Sequence, residues 1–112
     1  MIDFYKFGEI VIDKTKYTSD IIIYPDKVIS SWWRGESHLL KIRDIAEVIA
    51  KKPEIIIVGK GESGLMKVDP AVFESLKSQN IEVLAECTGE ACKLYNKTYS
   101  RKKTVAALHL TC

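Results

Sequence analysis

The stretch Ile55-Ile-Ile-Val-Gly-Lys-Gly-Glu-Ser-Gly64 joins an uninterrupted apolar run to three closely spaced glycines. A β-branched run without polar alternation is typical of a strand that is covered on both faces of its sheet. Such strands occur in parallel or mixed sheets with helices packed on them. The stretch therefore predicts a buried strand that leads into a glycine-rich loop.

The three glycines have the G-x-G-x-x-G spacing of a dinucleotide-binding turn, and Glu86 stands where a ribose-binding acid would be expected. In that motif, however, the helix begins inside the glycine run, and its first amides bind the pyrophosphate. Here the best helix start is Asp69-Pro70, and Leu65–Val68 separates it from the last glycine. Too little chain follows Glu86 to complete a dinucleotide domain. The sequence predicts that the loop imitates the motif without binding a dinucleotide.

Before the quoted stretch, the chain is rich in predicted strands. Pro25-Asp26 suits the centre of a tight turn between two apolar runs, which predicts a β-hairpin. Farther on, apolar residues recur at helical spacing until Pro53 ends the helix. The predicted strands are Phe4–Phe7, Ile10–Ile12, Ile21–Tyr24 and Val28–Trp33, and the apolar face of the helix is Ile42, Ile45, Ala46 and Ile49.

Beyond the loop, helices and strands alternate. Asp69 and Pro70 begin a helix whose end is marked by Asn80, a residue that tolerates the left-handed conformation. Thr88 is predicted to cap the next helix. The intervening and final strands are predicted at Ile81–Ala85 and Val105–Leu110. This alternation predicts an α/β fold with helices packed on a largely parallel or mixed sheet.

Composition indicates one soluble globular domain over residues 1–112, with 46% hydrophobic and 29% charged residues. The net charge of +2 gives no support for a nucleic-acid or membrane partner. No secretory signal is visible at the N-terminus, and three cysteines without zinc-type spacing are expected to be free thiols. These features predict a cytoplasmic location.

The glycine loop is the first candidate site. It follows a buried strand, and open α/β sheets place ligand crevices at the carboxyl ends of their strands. The residues proposed to bind a small anion or another polar ligand are Gly59, Lys60, Gly61, Ser63 and Gly64. Two alternatives stay open: the glycines serve only to allow positive φ, and Lys60 is a solvated surface charge.

The second candidate is the segment around two adjacent tryptophans. Alternation along a strand would send Trp32 and Trp33 to opposite faces, one into the core and the other towards a partner, a loop or a pocket. Arg34 could bind a carboxylate or a phosphate through two nitrogens. His38 could act as a general base, although a structural hydrogen bond is the commoner role. Trp32 and Trp33 are proposed as an interaction surface, and Arg34 and His38 as ligand-binding residues.

No complete catalytic or metal-binding set is visible. Cys87 precedes a helix, where a thiol is activated, but it lacks C-x-x-C spacing with Cys92, so redox chemistry is not expected. His109 and Cys112 would point to opposite faces of a strand, and two ligands do not make a metal site. The sequence therefore predicts no metal site and no cofactor, and catalytic residues are not assigned.

Several short motifs, taken in their order along the chain, resemble the sequence pattern of one protein family. The motifs are Trp32-Trp-Arg34, His38, Leu40, Lys52-Pro-Glu54, Ile56–Gly61, Glu90-Ala91, Tyr95-Asn96 and Val105–Cys112. They identify the chain as a member of the Mth-938-like domain family, which includes an adipogenesis-associated protein and a mitochondrial complex I assembly factor. The resemblance implies a three-layer α/β domain with a mixed central sheet and an added N-terminal β-hairpin layer, and no established reaction or cofactor.

Two departures from the family pattern bear on function. Lys60 stands where members usually have threonine, which removes a hydroxyl contact but favours an anion. Ser37 stands where many members have glycine. The complex I role is not transferred, because the N-terminus does not look like a mitochondrial extension.

These observations favour a non-catalytic binding or assembly module with an unidentified protein partner. The alternative is a small-anion or small-ligand binding protein, or an enzyme, that uses Gly59–Gly64. A homodimer through an uncovered tryptophan or a hairpin edge is compatible with both.

Overall fold

A computed structural model describes residues 1–112. The chain forms ten strands, a 3-10 helix and three α-helices. The strands are β1 Ile2–Lys6, β2 Glu9–Ile12, β3 Thr15–Tyr17, β4 Ile21–Tyr24, β5 Lys27–Ser30, β6 Leu39–Leu40, β7 Ile55–Lys60, β8 Lys67–Val68, β9 Glu82–Glu86 and β10 Thr104–His109. The 3-10 helix is Ile42–Ile45, and the α-helices are α1 Ala46–Ala50, α2 Pro70–Ser78 and α3 Thr88–Thr98.

The central sheet is mixed and has the strand order β5-β4-β10-β7-β9. Strand β10 is parallel to β7 and antiparallel to β4, and β7 is also parallel to β9. The predicted buried strand is confirmed, because Ile55–Val58 in β7 is at most 1% exposed. It has a parallel neighbour on each side and packed layers above and below, so both of its faces favour apolar side chains.

Each face of this sheet has its own apolar core. On one face, β7 and β10 pack against Ile45, Val48, Val72 and Leu76 from the short helices and α2. On the other face, α3 and the strands β1 and β2 cover the sheet. The structure therefore confirms the three-layer α/β fold implied by the family resemblance.

The N-terminal layer contains one strand more than was predicted. Strands β1 and β2 form the expected hairpin, and β3 extends it into a three-stranded sheet. The hairpin predicted around Pro25-Asp26 is also present, as β4 and β5, in the central sheet. Its second strand was predicted as Val28–Trp33 but ends at Ser30, because Ser31 has a positive φ of 59°, so the two tryptophans lie outside the strand. The third strand was missed because Thr15 and Lys16 are exposed and give no apolar alternation.

The first helical segment differs from its prediction. Its first turn is a 3-10 helix, and the residues that it buries are Ile45 and Val48, whereas Ile42 and Ala46 are exposed. Tighter winding in a 3-10 turn rotates the side chains away from the positions expected for a regular α-helix. The side chain of Asp44 stabilises this turn by accepting a hydrogen bond from the backbone amide of Lys41 at 2.8 Å.

The later helices begin and end largely as predicted. Asp69 caps α2 by accepting a hydrogen bond from the Ala71 amide at 3.0 Å, and Asn80 has the predicted positive φ of 59°. The prediction that Thr88 caps α3 is wrong, since Cys87 occupies the cap position and Thr88 is the first helical residue. No helix in the structure has both the length and the apolarity needed to cross a bilayer.

Candidate functional site

A buried polar cluster lies where β10 ends, and we call Asp20, Arg34 and His109 the buried triad. Asp20 precedes β4, the strand that pairs with β10, so strand pairing brings it beside His109. Arg34 arrives from the segment after β5. Arg34 and His109 are only 7% and 4% exposed, and Asp20 is partly buried. Polar groups in such a position need partners, because burial removes their hydrogen bonds to water.

Asp20 holds the imidazole of His109 in one orientation. Its Oδ2 lies 2.7 Å from Nδ1 of His109, and its Oδ1 accepts a hydrogen bond from the Leu110 amide at 2.7 Å. Nη2 of Arg34 also lies 3.1 Å from this Nδ1. A carboxylate can only accept, and both hydrogens of Nη2 are used in bonds to Asp20 and Ser37, so we assign the proton to Nδ1 of His109. The Nε2 atom of His109 is then the free acceptor, and it is buried without a hydrogen-bond partner.

Arg34 supports this arrangement from inside the protein. Its Nη2 donates to Oδ2 of Asp20 at 3.0 Å and to the carbonyl of Ser37 at 2.9 Å. Its guanidinium carbon lies 4.6 Å from the ring centre of Trp32, a cation–π distance. The bidentate geometry expected at the sequence level does not occur with Asp20, and Nε and Nη1 of Arg34 are buried without partners.

His38 and Cys112 lie at the rim of the same cluster. Nε2 of His38 is 3.1 Å from Sγ of Cys112, and the rings of His38 and His109 meet edge to face with centroids 6.0 Å apart. His38 is exposed and Cys112 is half-buried. The expectation that His109 and Cys112 point apart is wrong, because β10 ends at His109 and Cys112 has a positive φ of 52°. The alternation of side chains between the two faces of a strand therefore does not extend to Cys112.

The glycine loop is held by hydrogen bonds within the protein. The amides of Gly61, Glu62 and Gly64 donate to Oγ1 of Thr88, to the carbonyl of Thr111 and to the carbonyl of Gly61, respectively. Amides that already have acceptors cannot also surround an anion. The predicted departure from a dinucleotide turn agrees with the structure, since β8 follows the loop and the next helix starts at Pro70.

Close packing accounts for two of the glycines. A Cβ atom on Gly59 would lie 2.8 Å from Oγ1 of Thr88 and 2.9 Å from a methyl group of Leu108. Gly61 has a φ of 99°, and a Cβ atom there would overlap the carbonyl oxygen of Thr111. The G-x-G spacing therefore lets the loop pass close to α3 and to the segment after β10.

Thr88 connects the loop to the buried triad. Its hydroxyl donates to the carbonyl of His109 and accepts from the amide of Gly61 at 2.9 Å. Side-chain hydrogen bonds of this kind explain why Thr88 is completely buried although it is polar. The loop and the buried triad are thus one connected structure at the carboxyl ends of β7 and β10.

Lys60 and Ser63 face other surroundings. Lys60 is the register partner of His109, but it is half-buried in a groove of about 470 Å³ that Lys67, Met66 and Gly64 also line. Neither Lys60 nor Lys67 forms a salt bridge with an acidic side chain. Ser63 is exposed at the tip of the loop.

The two tryptophans differ sharply in exposure. Trp32 is 8% exposed and donates its indole N–H to the carbonyl of Asp44 at 3.1 Å, whereas Trp33 is 81% exposed. Both line a largely apolar cavity of about 390 Å³, together with Ile29 of β5. The proposed site residues therefore do not share one pocket. The tryptophans line this cavity, Arg34 and His38 belong to the cluster around His109, and Lys60 and Gly64 line the groove, which we call the lysine groove. Gly59 and Gly61 pack inside the protein, and Ser63 is exposed.

The remaining thiols behave differently from one another. Burial raises the pKa of Cys92 to about 12, so this thiol stays protonated at neutral pH. Cys87 is exposed, and neither cysteine is in a disulfide. Burial also raises the pKa of Tyr5 to about 12, with the nearby carboxylate of Glu62 adding to the effect. A protonated Cys92 is a poor nucleophile and a poor partner for thiol exchange.

Sequence analysis missed the role of Asp20 and underestimated His109. Each is a polar residue next to a fully apolar strand, Ile21–Tyr24 in one case and Val105–Leu108 in the other. That position was the available signal, because a polar side chain at the end of a buried strand is often itself covered. Their pairing joins positions 89 residues apart and is not visible in any local pattern.

Comparisons with known proteins agree with the fold. The sequence profile of the family described as "Protein of unknown function (DUF498/DUF598)" matches residues 2–110. The structure is similar to conserved hypothetical protein PH1505 from Pyrococcus horikoshii, with a TM-score of 0.88 and 26% identity over 100% of this chain and 99% of that chain. It is also similar to MT938, with a TM-score of 0.82 and 27% identity over 100% of this chain and 98% of that chain.

A Bordetella pertussis protein described as a Mth938-like domain has the same fold. Its TM-score is 0.70 at 20% identity, over 98% of this chain and 85% of that chain. The resemblance seen in the sequence motifs is therefore confirmed over nearly the full length. This protein belongs to the Mth938-like family of proteins of unknown function, DUF498/DUF598.

Proposed function

We propose that the protein is a non-catalytic binding module that takes an extended apolar segment of a partner protein beside Trp33. The observation that carries the proposal is the 81% exposure of a tryptophan next to a largely apolar cavity. A large apolar side chain in water is unfavourable, and tryptophan is the residue most enriched at the energetic centres of protein interfaces. We call Trp33, Ile29 and the free edge of β5 the tryptophan surface.

The free edge of β5 supports an extended partner. Strand β5 is at one end of the central sheet and pairs only with β4, so one side of its backbone has no strand neighbour. The opposite edge strand, β9, carries Glu82 and Glu86, charges of the kind that prevent edge pairing. Strand β5 has one such charge, Lys27 at its first position, and exposes Ile29 farther along. An added strand would gain backbone hydrogen bonds, and one of its apolar side chains could enter the cavity.

The proposal is tested by selecting binding peptides from a random library on the wild-type protein. We expect the selected peptides to have apolar residues at alternate positions, and Trp33→Ala to weaken their binding by roughly 30-fold, in line with a hot-spot tryptophan. Phe7→Ala is the matched control, because Phe7 is an exposed aromatic residue, 59% exposed, in the turn between β1 and β2. Equal loss in the two variants, or none in Trp33→Ala, would refute the tryptophan surface.

Tryptophan fluorescence gives a second measurement. In a Trp32→Phe variant the emission reports on Trp33 alone, and binding of a selected peptide should shift it to shorter wavelength as the indole leaves water. If the same shift appears with rising protein concentration and no peptide, the occupant of the surface is a second copy of this chain.

A second candidate function is binding of a small anion in the lysine groove. It is favoured by the absence of acidic partners for Lys60 and Lys67, and disfavoured by the engagement of the loop amides described above. Inorganic phosphate should then raise the melting temperature of the wild type but not of Lys60→Ala, because a ligand stabilises only the state that binds it. An equal shift in both proteins would exclude this groove.

A further inference from the structure

Three side chains that commonly bind transition metals meet at His109 of the buried triad. The candidate ligand atoms of His38, His109 and Cys112 all lie within 4.8 Å of one another. They come from separate parts of the chain: the residue before β6, the end of β10, and the segment after it. We call these three residues the His-His-Cys cluster. It is distinct from the tryptophan surface and does not depend on the proposed function.

His109 has the features of a prepared ligand. Its Nδ1 is held by Asp20 at 2.7 Å, while its buried Nε2 has no hydrogen-bond partner. No group of the chain competes for this nitrogen, so it is free to bind a metal ion. Metal-binding histidines usually donate their second N–H to a carboxylate, which fixes the tautomer and the ring orientation. Asp20 stands in that relation to His109.

His38 and Cys112 can complete the site without disturbing the core. His38 is exposed and Cys112 is half-buried, and Nε2 of His38 already lies 3.1 Å from the sulfur. In a tetrahedral zinc site the ligand atoms are about 3.3–3.6 Å apart, as follows from the usual Zn–N and Zn–S bond lengths. Closing the widest separation of 4.8 Å therefore needs a movement of about 1 Å, which rim side chains can make by small rotations.

The ligand chemistry selects the class of ion. Imidazole nitrogen and thiolate sulfur suit zinc and similar borderline or soft ions, whereas Mg²⁺ and Ca²⁺ prefer oxygen. The positive charge of Arg34 is offset by Asp20 at 3.0 Å, and loss of the thiol proton from Cys112 would neutralise part of the charge of a divalent ion. That proton would be released to solvent on binding.

We propose that His38, His109 and Cys112 form a binding site for a divalent transition-metal ion of the zinc class, with Asp20 as the positioning residue behind His109. Three protein ligands leave the fourth position of a tetrahedral ion free for water or another ligand. An open position is characteristic of zinc sites that bind an exchangeable ligand rather than of purely structural ones.

The test uses Co²⁺ and Zn²⁺ alone, added to the reduced full-length chain. We expect one Co²⁺ per chain, with thiolate-to-cobalt charge-transfer absorption in the near ultraviolet, and displacement by Zn²⁺ with a Kd of about 1 μM or tighter. Cys112→Ser should abolish the charge-transfer band, and His38→Ala should weaken binding by about 30-fold or more. Both residues lie at the rim, so these variants are expected to fold.

Controls separate this site from general thiol binding. Cys87→Ser removes an exposed cysteine outside the cluster and should leave the band and the affinity unchanged. Asp20→Asn keeps the shape of the side chain and should weaken Zn²⁺ binding by about 10–100-fold while the cobalt absorption keeps its position. The proposal is overturned if the wild type shows no charge-transfer band. It is equally overturned if Cys112→Ser retains the band, or if Cys87→Ser abolishes it.

Discussion

The two ends of the paired strands β7 and β10 are built in opposite ways. At the amino end the charged residues are at the surface and have partners: the Lys103 amide donates to the Glu54 carboxylate at 3.2 Å, and Lys102 pairs with Glu82 at 3.4 Å. At the carboxyl end the ion pair of the buried triad lies under the surface. Two nitrogen atoms of Arg34 and one of His109 are buried there without a hydrogen-bond partner.

This difference makes the carboxyl end the candidate functional site. A fold needs only that strand ends meet water or well-paired groups, and the amino end satisfies that requirement. Burying an ion pair is seldom more stabilising than apolar packing of the same volume, because desolvation opposes the attraction. The carboxyl end therefore buries charged groups that have a desolvation cost, in the place where open α/β sheets bind ligands.

Removing Asp20 should have the largest effect on stability. Asp20→Ala would leave the Arg34 charge and the Leu110 amide buried without their acceptor, and we expect a loss of about 3 kcal/mol in the free energy of unfolding. Urea denaturation measures it. At the amino end, Lys102→Ala breaks an exposed pair and should change stability by less than about 0.5 kcal/mol. Similar losses in both variants would remove the contrast between the two ends.

Gly61→Ala should be the next most destabilising change. Alanine at a φ of 99° is strained, and its Cβ would overlap the Thr111 carbonyl, so we expect a loss of about 2 kcal/mol or more. Gly89 is the matched control because a Cβ there meets nothing within 4 Å, and Gly89→Ala in α3 should stabilise the protein by roughly 0.5–1 kcal/mol. Equal effects of the two changes on the melting temperature would show that Gly61 is not tightly packed against Thr111.

Thr88→Val should have a smaller effect. The valine keeps the shape but removes the two hydrogen bonds to Gly61 and His109, at a cost of about 1–2 kcal/mol. Hydrogen exchange at the Gly61 amide should accelerate in this variant. Thr98→Val, which removes a hydroxyl bonded within its own helix, should change stability by less than about 0.5 kcal/mol. Unchanged exchange at Gly61 would mean that Thr88 does not hold the loop.

The smallest expected effects concern the two cysteines Cys87 and Cys92, whose reactivity reports how deeply each thiol is buried. A thiol reagent should modify exposed Cys87 in the native protein, whereas Cys92 should react only after unfolding. Since the pKa of Cys92 is raised from 9.0 to about 12, the unfolded chain loses this proton first as pH rises. The stabilisation from the buried thiol is complete below pH 9.0 and is lost progressively towards about 12.

The alkaline loss of stability should therefore be less steep in Cys92→Ala, as measured by urea denaturation across this range. Rapid modification of Cys92 in the native state would contradict the burial of α3 against the sheet.

The fold could be predicted well from the sequence because its signals are local. The apolar run at Ile55–Val58, the Asp69-Pro70 helix start and the left-handed Asn80 each depend on neighbouring residues and elementary backbone preferences. The errors arose where packing overrides local preference. The 3-10 turn at Ile42–Ile45 shifted the buried face of the first helix, and Thr88 bonds to a distant strand instead of capping its helix.

The candidate site was less accessible to prediction because strand pairing creates it. Asp20 and His109 meet only because β4 and β10 are neighbours, and His38 meets Cys112 across 74 residues. A sequence gives no register for such pairings in the absence of long-range information. Arg34 and His38 could be singled out by residue type, but their surroundings could not.

The central position of β10 has a consequence for how the protein is made. Strand β10 follows all the other strands of the central sheet in the sequence, yet it is the one that joins the β4–β5 hairpin to the β7–β9 pair. A nascent chain that has not yet reached Thr104 would contain two half-sheets with nothing between them, each exposing an isoleucine-rich edge. Folding must therefore wait until β10 has left the ribosome, and its rate should be limited by the closure of contacts that are distant along the chain.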